Sequence, residues 1–211
     1  LEESLNLYAL CQKISKKTLQ KHMHLSDKLA QEVYDLYHQF KTTQARYPAI
    51  ELYNGLAFRQ IHVLAYNQDQ LNYLDSHLSI LSAMYGVLSA FTSIWPYRLD
   101  FTMNFKQINL KKYWKTKMNT FFKQEDWILN LASEEFSDLI DHPNMHTIHF
   151  FDEKAGILKT NAAEAKKARG QTLEWCVLHS VRNIEELASL QIKGYRLVSH
   201  DANQTTLVRD V

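Results

Sequence analysis

The spacing of apolar residues changes along the chain, and this change restricts the fold more than any other feature of the sequence. Near the N-terminus Leu29, Val33, Leu36 and Phe40 recur every three or four positions, which is the period of a helix. Further along, short apolar runs such as Trp127 to Leu131 have the length of buried strands. Helical and extended segments together predict a mixed α/β (α+β) fold with a helical N-terminal region and a mixed sheet.

Other segments add detail to this prediction. In chain order they are a strand over 49–58, a helix over 67–77, a helix over 110–122, a hairpin of strands 146–152 and 156–160, a long helix over 162–181, a short helix over 184–190 and a hairpin over 195–208. The run Leu78 to Leu88 fits either a strand or a helix. Ser26, Ser133 and Asn161 precede helical segments and are expected to cap them.

The composition favours one compact domain over residues 1–211. Only five glycines and three prolines occur, too few for long flexible linkers, and 45% of the residues are hydrophobic. The sequence opens at Leu1 rather than at methionine, so we expect an N-terminal segment to be missing.

Charge and cysteine usage exclude several classes of protein. The 24 basic and 23 acidic residues nearly cancel, so a site for polyanions has to come from the local placement of charge. Cys11 and Cys176 are far apart and form no CxxC pair, which argues against a zinc ribbon or a thioredoxin-like motif. No apolar run reaches the ~20 residues of a membrane helix. We therefore expect a cytoplasmic protein without membrane contact.

The clearest local charge pattern lies at the start of the predicted long helix. Asn161 and Glu164 have the spacing of a capping box, and Lys166, Lys167 and Arg169 follow directly. Unpaired backbone N–H groups and the helix dipole favour an anion at such an end. Lys166 to Arg169, called here the basic helix start, is thus a candidate polyanion site. The alternative is an exposed basic turn without a ligand.

Gly170 follows the basic helix start within the predicted helix. Glycine inside a helix costs about 1 kcal/mol relative to alanine. We therefore expect another part of the chain or a ligand to approach closely at Gly170.

Several motifs occur in a fixed order along the sequence. They are Leu81 to Leu88, Pro96 to Asp100, Asn130 to Phe136, Gly156 to Lys159, Lys166 to Gly170 and Gly194-Tyr195. From about Ser15 onward, this series resembles the YaaA-like peroxide-stress protein family. The resemblance implies a family-specific α/β fold, a positively charged cleft, binding to duplex or branched DNA, and a role in limiting oxidative damage.

The resemblance also implies a helix-hairpin-helix element of the kind found in DNA-repair proteins. It corresponds to Met23 to Ala30, where Ser26 and Lys28 would contact a DNA backbone. His24 and Ser26 stand where the commoner hairpin signature has glycines.

Other positions depart from the family pattern. The opening Ser-Pro-Ala-Lys segment is absent, Ser89 to Thr92 replaces Arg-Pro-Leu-Asp, and Gly55-Leu56 replaces a Gly-Asp pair. If those polar residues serve chemistry in relatives, we expect this protein to bind without that chemistry or with less of it.

Two further groups of residues are candidates for the same cleft. Tyr97 and Arg98 follow Pro96, and an aromatic residue beside an arginine suits a base and a phosphate. The alternative pairs Arg98 with Asp100. Lys111 and Lys115 share a helical face, but a solvated outer face is the more common meaning of such a pattern.

Catalytic and metal-binding candidates are sparse. Glu134, at the predicted end of a strand, and Asp100 are the residues that could act on a nucleic acid or nucleotide, in a glycosylase-like or nuclease-like way. The histidines His142, His146 and His149 match no metal signature. We expect no metal and no cofactor.

The leading hypothesis is a non-enzymatic DNA-binding protein that is largely independent of sequence and is linked to the peroxide stress response. Its expected contacts are Lys166, Lys167, Arg169, Arg98, Tyr97, Lys28 and Ser26. The alternatives are an enzyme acting on nucleic acid and a protein whose basic patch binds an acidic partner. The sequence does not predict an oligomeric state.

Overall fold

The computed structural model describes residues 1–105 and 108–211. The chain divides into two compact units. The first contains Leu1–Leu52 and Ser79–Phe122, and the second contains Tyr53–Leu78 and Lys123–Val211. Both units contain helices and strands, so the predicted mixed α/β fold is confirmed. No helix of the described residues is long and apolar enough to cross a membrane.

The first unit is mainly helical and carries short antiparallel strand pairs. Its helices are α1 (Glu2–Cys11), α2 (Lys16–His22), α3 (Asp27–His38), α4 (Ala49–Leu52) and α6 (Leu110–Phe122). Its strands are β1 (Tyr47–Pro48), β2 (Ile80–Ser82), β3 (Gly86–Leu88), β4 (Ser93–Ile94), β5 (Asn104–Phe105) and β6 (Ile108–Asn109). The strands pair antiparallel as β1 with β4, β2 with β3 and β5 with β6.

Three tyrosine hydroxyls bond to backbone groups in the interior of the first unit. Tyr8 and Tyr37, from α1 and α3, are fully buried. The Tyr8 hydroxyl donates to the Pro96 carbonyl at 2.9 Å, and the Tyr37 hydroxyl donates to the Arg98 carbonyl. The Tyr85 hydroxyl accepts from the Trp95 N–H at 3.0 Å. Backbone groups that no strand ladder satisfies are thus bonded to aromatic hydroxyls.

The run Leu78 to Leu88, which was ambiguous from sequence, is the hairpin of β2 and β3. Its turn ends at Gly86, which has φ +80°. A side chain there would meet the Trp114 ring at 2.5 Å, so glycine is required by both conformation and space. The Trp114 indole N–H also donates to the Ala83 carbonyl at 2.8 Å, which joins α6 to the hairpin.

The second unit is built on a five-stranded mixed sheet. Its strands are β7 (Ile128–Asn130), β8 (Met145–Lys154), β9 (Ile157–Lys159), β10 (Arg196–His200) and β11 (Gln204–Asp210). Strand β8 pairs parallel with β7 and β11 and antiparallel with β9, and β10 pairs antiparallel with β11. The unit's helices are α5 (Gln68–His77), α7 (Glu134–Ser137) and α8 (Ala162–His179), and its 3₁₀ helices are Phe58–Gln60, Val63–Ala65 and Glu185–Ser189.

Helix α8 packs on the sheet through small residues. Ala165 and Ala168 form a buried cluster with Ile148, Phe150 and Leu207 of the central strands. Because alanine has a single methyl group, the helix backbone lies close to the sheet. This packing fixes the position of the backbone in the first turns of α8.

The predicted strand over 49–58 is wrong. Pairing with β4 stops after Pro48, and α4 follows at once, with the Ala49 and Ile50 N–H groups bonded to the carbonyls of Thr92 and Ala90. The end of this segment is the 3₁₀ helix Phe58–Gln60. The short helix predicted over 184–190 is present as the 3₁₀ helix Glu185–Ser189.

Candidate polyanion-binding site

The first turn of α8 is capped as the sequence predicts. The Asn161 side chain accepts a hydrogen bond from the Glu164 N–H at 3.4 Å. A full capping box would also have the Glu164 carboxylate accept from the Asn161 backbone N–H. Here the Glu164 carboxylate pairs instead with Lys167 and with Arg209. The remaining N–H groups of this turn keep the partial positive charge of a helix start.

Lys167 belongs to a network of paired charges. Its ammonium lies 2.8 Å from the Glu164 carboxylate, and the Arg209 guanidinium lies 2.7 Å from the other oxygen. Arg209 also holds Asp152 through two hydrogen bonds of 3.0 and 2.9 Å. The hydrogen bond from Lys167 lowers the pKa of Glu164, and the one from Arg209 lowers the pKa of Asp152. The positive charge of Lys167 is therefore largely offset within the protein.

Lys166 and Arg169 are not offset in this way. Lys166 is exposed, and Arg169 is half-buried. Neither forms an ion pair with a carboxylate of residues 1–105 or 108–211. Burial lowers the pKa of Arg169, because desolvation disfavours its charged form. A half-buried guanidinium without a counter-ion is a favourable partner for an anion.

Gly170 meets the backbone of another segment, as its place inside a helix predicts. A Cβ atom at this position would lie 2.0 Å from the Ala57 carbonyl oxygen. The following residue, Gln171, donates to the Gln60 side chain at 3.4 Å. Residues 57–60 therefore lie against α8 immediately after the basic helix start.

One turn further along, Glu174 holds the same segment. Its carboxylate accepts hydrogen bonds from the His62 N–H at 3.0 Å, from the His62 ring Nδ1 at 3.1 Å, and from the Tyr66 hydroxyl. Sequence reasoning did not find this cluster. The residues are more than 100 positions apart, and Gly170 was the only sequence signal that a chain segment packs here.

Tyr97 and Arg98 lie in the first unit. The Tyr97 hydroxyl is 2.7 Å from the Ser82 hydroxyl, so part of this side chain serves the internal structure. The Arg98 side chain is exposed, while its carbonyl accepts from Tyr37. No ion pair joins Arg98 to Asp100, although both residues are described.

Ser26 and Lys28 lie at the start of α3. The Ser26 hydroxyl accepts from the Leu29 N–H at 3.3 Å, which confirms the predicted cap. The turn before it contains His24 at φ 50°, a conformation that favours glycine. The Lys28 side chain is exposed. Two helices and a tight turn are thus present, and a DNA-binding helix-hairpin-helix remains a prediction.

The catalytic candidates have ordinary surroundings. The Asp100 carboxylate accepts hydrogen bonds from the backbone and hydroxyl of Thr102. Glu134 is exposed, and Ser133, which stands at the cap of α7, makes no side-chain capping bond. The neighbouring Glu135 is the unusual residue. Its Oε1 is buried without a hydrogen-bond partner among the described residues.

No group of three or more histidine, cysteine, aspartate or glutamate side chains in the described part of the chain could hold a metal ion. His142 and His146 instead bond to backbone carbonyls of Glu125 and Ala202. A pocket of about 620 Å³ opens over residues 188–197, and its lining includes none of the predicted site residues.

The predicted contacts therefore fall into separate groups. Lys166, Lys167 and Arg169 lie on α8 in the second unit, whereas the remaining contacts, Tyr97, Arg98, Ser26 and Lys28, lie in the first unit. A single cleft formed by both groups remains a prediction.

The fold and the basic helix start together define a mixed α/β protein in which a helix packed on a mixed sheet begins with Lys166, Lys167 and Arg169. Comparison with known families gives the identity. The family model described as peroxide stress protein YaaA matches residues 1–201, and this chain belongs to that family.

Curated relatives agree with this assignment. A UPF0246 protein of Fusobacterium nucleatum is 37% identical over 156 residues, which cover 71% of this chain and 63% of the relative. A UPF0246 protein of Rickettsia rickettsii is 33% identical over 213 residues, or 96% of this chain and 85% of the relative. A UPF0246 protein of Streptococcus pneumoniae is 32% identical over 81% of this chain and 72% of its own length. The chain thus spans less than two thirds of the Fusobacterium relative.

Proposed function

We propose that this member of the peroxide stress protein family binds DNA through the phosphate backbone, with little dependence on base sequence, and that it protects DNA or assists its repair in the cytoplasm. The observation that carries the proposal is the pair Lys166 and Arg169. Both cations lie within two turns of a helix start and lack an internal counter-ion among the described residues.

The physical support is the free-energy cost of half-burying the Arg169 guanidinium. Half-burying a guanidinium without a partner carboxylate costs free energy, which a phosphate would offset through charge-assisted hydrogen bonds. The capped helix end adds its own N–H groups and dipole. These interactions recognise phosphate oxygens, which every DNA sequence offers.

The residues of the first unit have supporting roles in this proposal. Arg98 contacts a phosphate, Tyr97 offers an aromatic edge to a base, and Ser26 and Lys28 contact a second stretch of backbone. Lys167 contributes less than Lys166, because Glu164 already neutralises it. A nuclease-like or glycosylase-like activity has less support, since Asp100 is bonded to Thr102 and Glu134 is exposed.

The test is the double variant Lys166→Ala plus Arg169→Ala, measured by fluorescence anisotropy with labelled duplexes of unrelated sequence. We expect at least a tenfold loss of affinity for all duplexes alike. The slope of log K against log salt should also fall by about two, one for each lost phosphate contact.

The matched control is Lys154→Ala plus Lys193→Ala. It removes two exposed lysines of the same unit and changes the net charge equally. The control should bind nearly as well as the unchanged protein. Equal binding by both double variants would show that the basic helix start is not the site.

A further inference from the structure

The cluster around Glu174 has a feature that the phosphate-binding proposal does not use. The His62 ring donates from Nδ1 to the Glu174 carboxylate at 3.1 Å. A carboxylate only accepts hydrogen bonds, so this contact fixes the proton on Nδ1. The other ring nitrogen, Nε2, then carries a lone pair in the neutral ring and an N–H in the cation.

The His62 ring is held in place while Nε2 is accessible. The His62 side chain is 68% exposed, whereas that of Glu174 is 17% exposed. Glu174 also accepts from the His62 backbone N–H at 3.0 Å and from the Tyr66 hydroxyl, so both of its carboxylate oxygens are bonded. An imidazole oriented by a carboxylate is a preformed donor once it is protonated.

His62 lies along α8 from the basic helix start. Ala57 meets Gly170, Gln60 meets Gln171, and His62 meets Glu174, so the segment follows the helix away from Lys166. Lys166 and Glu174 are eight positions apart, or about 12 Å at the helical rise of about 1.5 Å per residue. Duplex DNA carries one phosphate charge per about 1.7 Å of its axis, so several phosphates span that distance.

We infer that His62 is a further phosphate contact, engaged through Nε2–H when the ring is protonated, so that DNA binds more tightly at about pH 6 than at about pH 8. This inference rests on the proposed function. Among the described residues, the Glu174 carboxylate from α8 contacts the ring, and the Tyr66 hydroxyl from the same segment as His62 donates to that carboxylate. Tyr66 stays neutral because burial raises the pKa of its hydroxyl.

The experiment compares the unchanged protein with His62→Gln and His179→Gln, using a labelled DNA duplex at about pH 8 and about pH 6 and at fixed salt. His179 is the matched control. It is an exposed histidine of the same unit whose Nδ1 bonds to the Trp175 carbonyl rather than to a carboxylate. We expect the unchanged protein and His179→Gln to gain about fivefold more affinity on acidification than His62→Gln does. Other histidines affect all three proteins alike.

A second measurement does not depend on a variant. In the unchanged protein, addition of the duplex at about pH 7 should shift the His62 ring resonances toward those of the protonated form. DNA binding with equal pH dependence in all three proteins, and no shift of the His62 resonances, would overturn the inference and leave the proposed function intact. Failure of the unchanged protein to bind DNA at low salt would overturn both.

Discussion

The tyrosine hydroxyls in the first unit and the cations at the basic helix start of the second unit differ in whether they have partners inside the protein. In the core, the hydroxyls of Tyr8, Tyr37 and Tyr85 each have a backbone partner. In the second unit, Lys167 and Arg209 are paired with carboxylates, but Arg169 is half-buried and has no such partner in the described chain.

This difference distinguishes polar groups that stabilise the fold from polar groups that are available to bind a ligand. A hydrogen bond that is already made inside the protein stabilises the fold and has little left to offer a ligand. A desolvated charge without a partner lowers stability and is kept where a ligand completes it. We therefore expect the core of the first unit to be chemically inert. We expect the unpaired cation at the start of α8 to lower the free energy of unfolding and to favour binding of an anion.

The sharpest test of an inert core concerns the cysteine thiols. Burial raises the pKa of Cys11, which neighbours Tyr37 in the first unit, to about 12. Burial likewise raises the pKa of Cys176, which lies on α8 of the second unit, to about 12. The nucleophile is the thiolate, so near pH 8 both thiols should react about a thousandfold more slowly than a free cysteine. The measurement is the rate of reaction with a disulfide reagent in the folded protein.

Unfolding in urea supplies the control, since both thiols should then react at the ordinary rate. Rapid modification of Cys11 in the folded protein would mean that the core of the first unit opens readily. Slow modification would also indicate that any peroxide response of this protein does not use its cysteines as sensors.

The sequence predicted the elements of both regions better than their contacts. The helix over 110–122 and the cap at Asn161 are confirmed, because helical spacing and capping are local properties. The strand over 49–58 is wrong, because the short run turns into a helix once pairing with β4 ends.

The sequence did not predict the contacts between residues that lie far apart in the chain. The pairing of Lys167 and Arg209 with Glu164 decides which cations remain available, and Arg209 is 45 positions from Glu164. The His62–Glu174 contact spans 112 positions. The spacing of apolar residues predicts the helix or strand in which a residue lies, but it does not predict the distant residue that it contacts. These pairings could therefore be found only from the structure.

The second test removes one hydroxyl from the tyrosine core. Tyr8→Phe leaves the Pro96 carbonyl without its donor and should lower the free energy of unfolding by about 1–2 kcal/mol. Urea denaturation measures the change. Tyr47→Phe, at a side chain that is 46% exposed, is the control and should change stability by less than about 0.5 kcal/mol. If the two variants are equally stable, the core hydroxyls are not structural.

The last test has the smallest expected effect, and its sign matters more than its size. Arg169→Met keeps most of the apolar volume and removes an uncompensated desolvated charge, so the free energy of unfolding should rise by about 0.5 kcal/mol. Arg209→Met breaks its ion pairs with Asp152 and Glu164 and should lower it by about 1 kcal/mol.

The same two variants should rank oppositely in DNA binding, with Arg169→Met the weaker binder. Chemical denaturation and anisotropy on the same samples measure both properties. A loss of stability in Arg169→Met as large as that in Arg209→Met would mean that the Arg169 guanidinium serves the fold. The contrast between a satisfied core and an unsatisfied helix start would then fail, because the cation would have a structural role and would no longer imply a ligand.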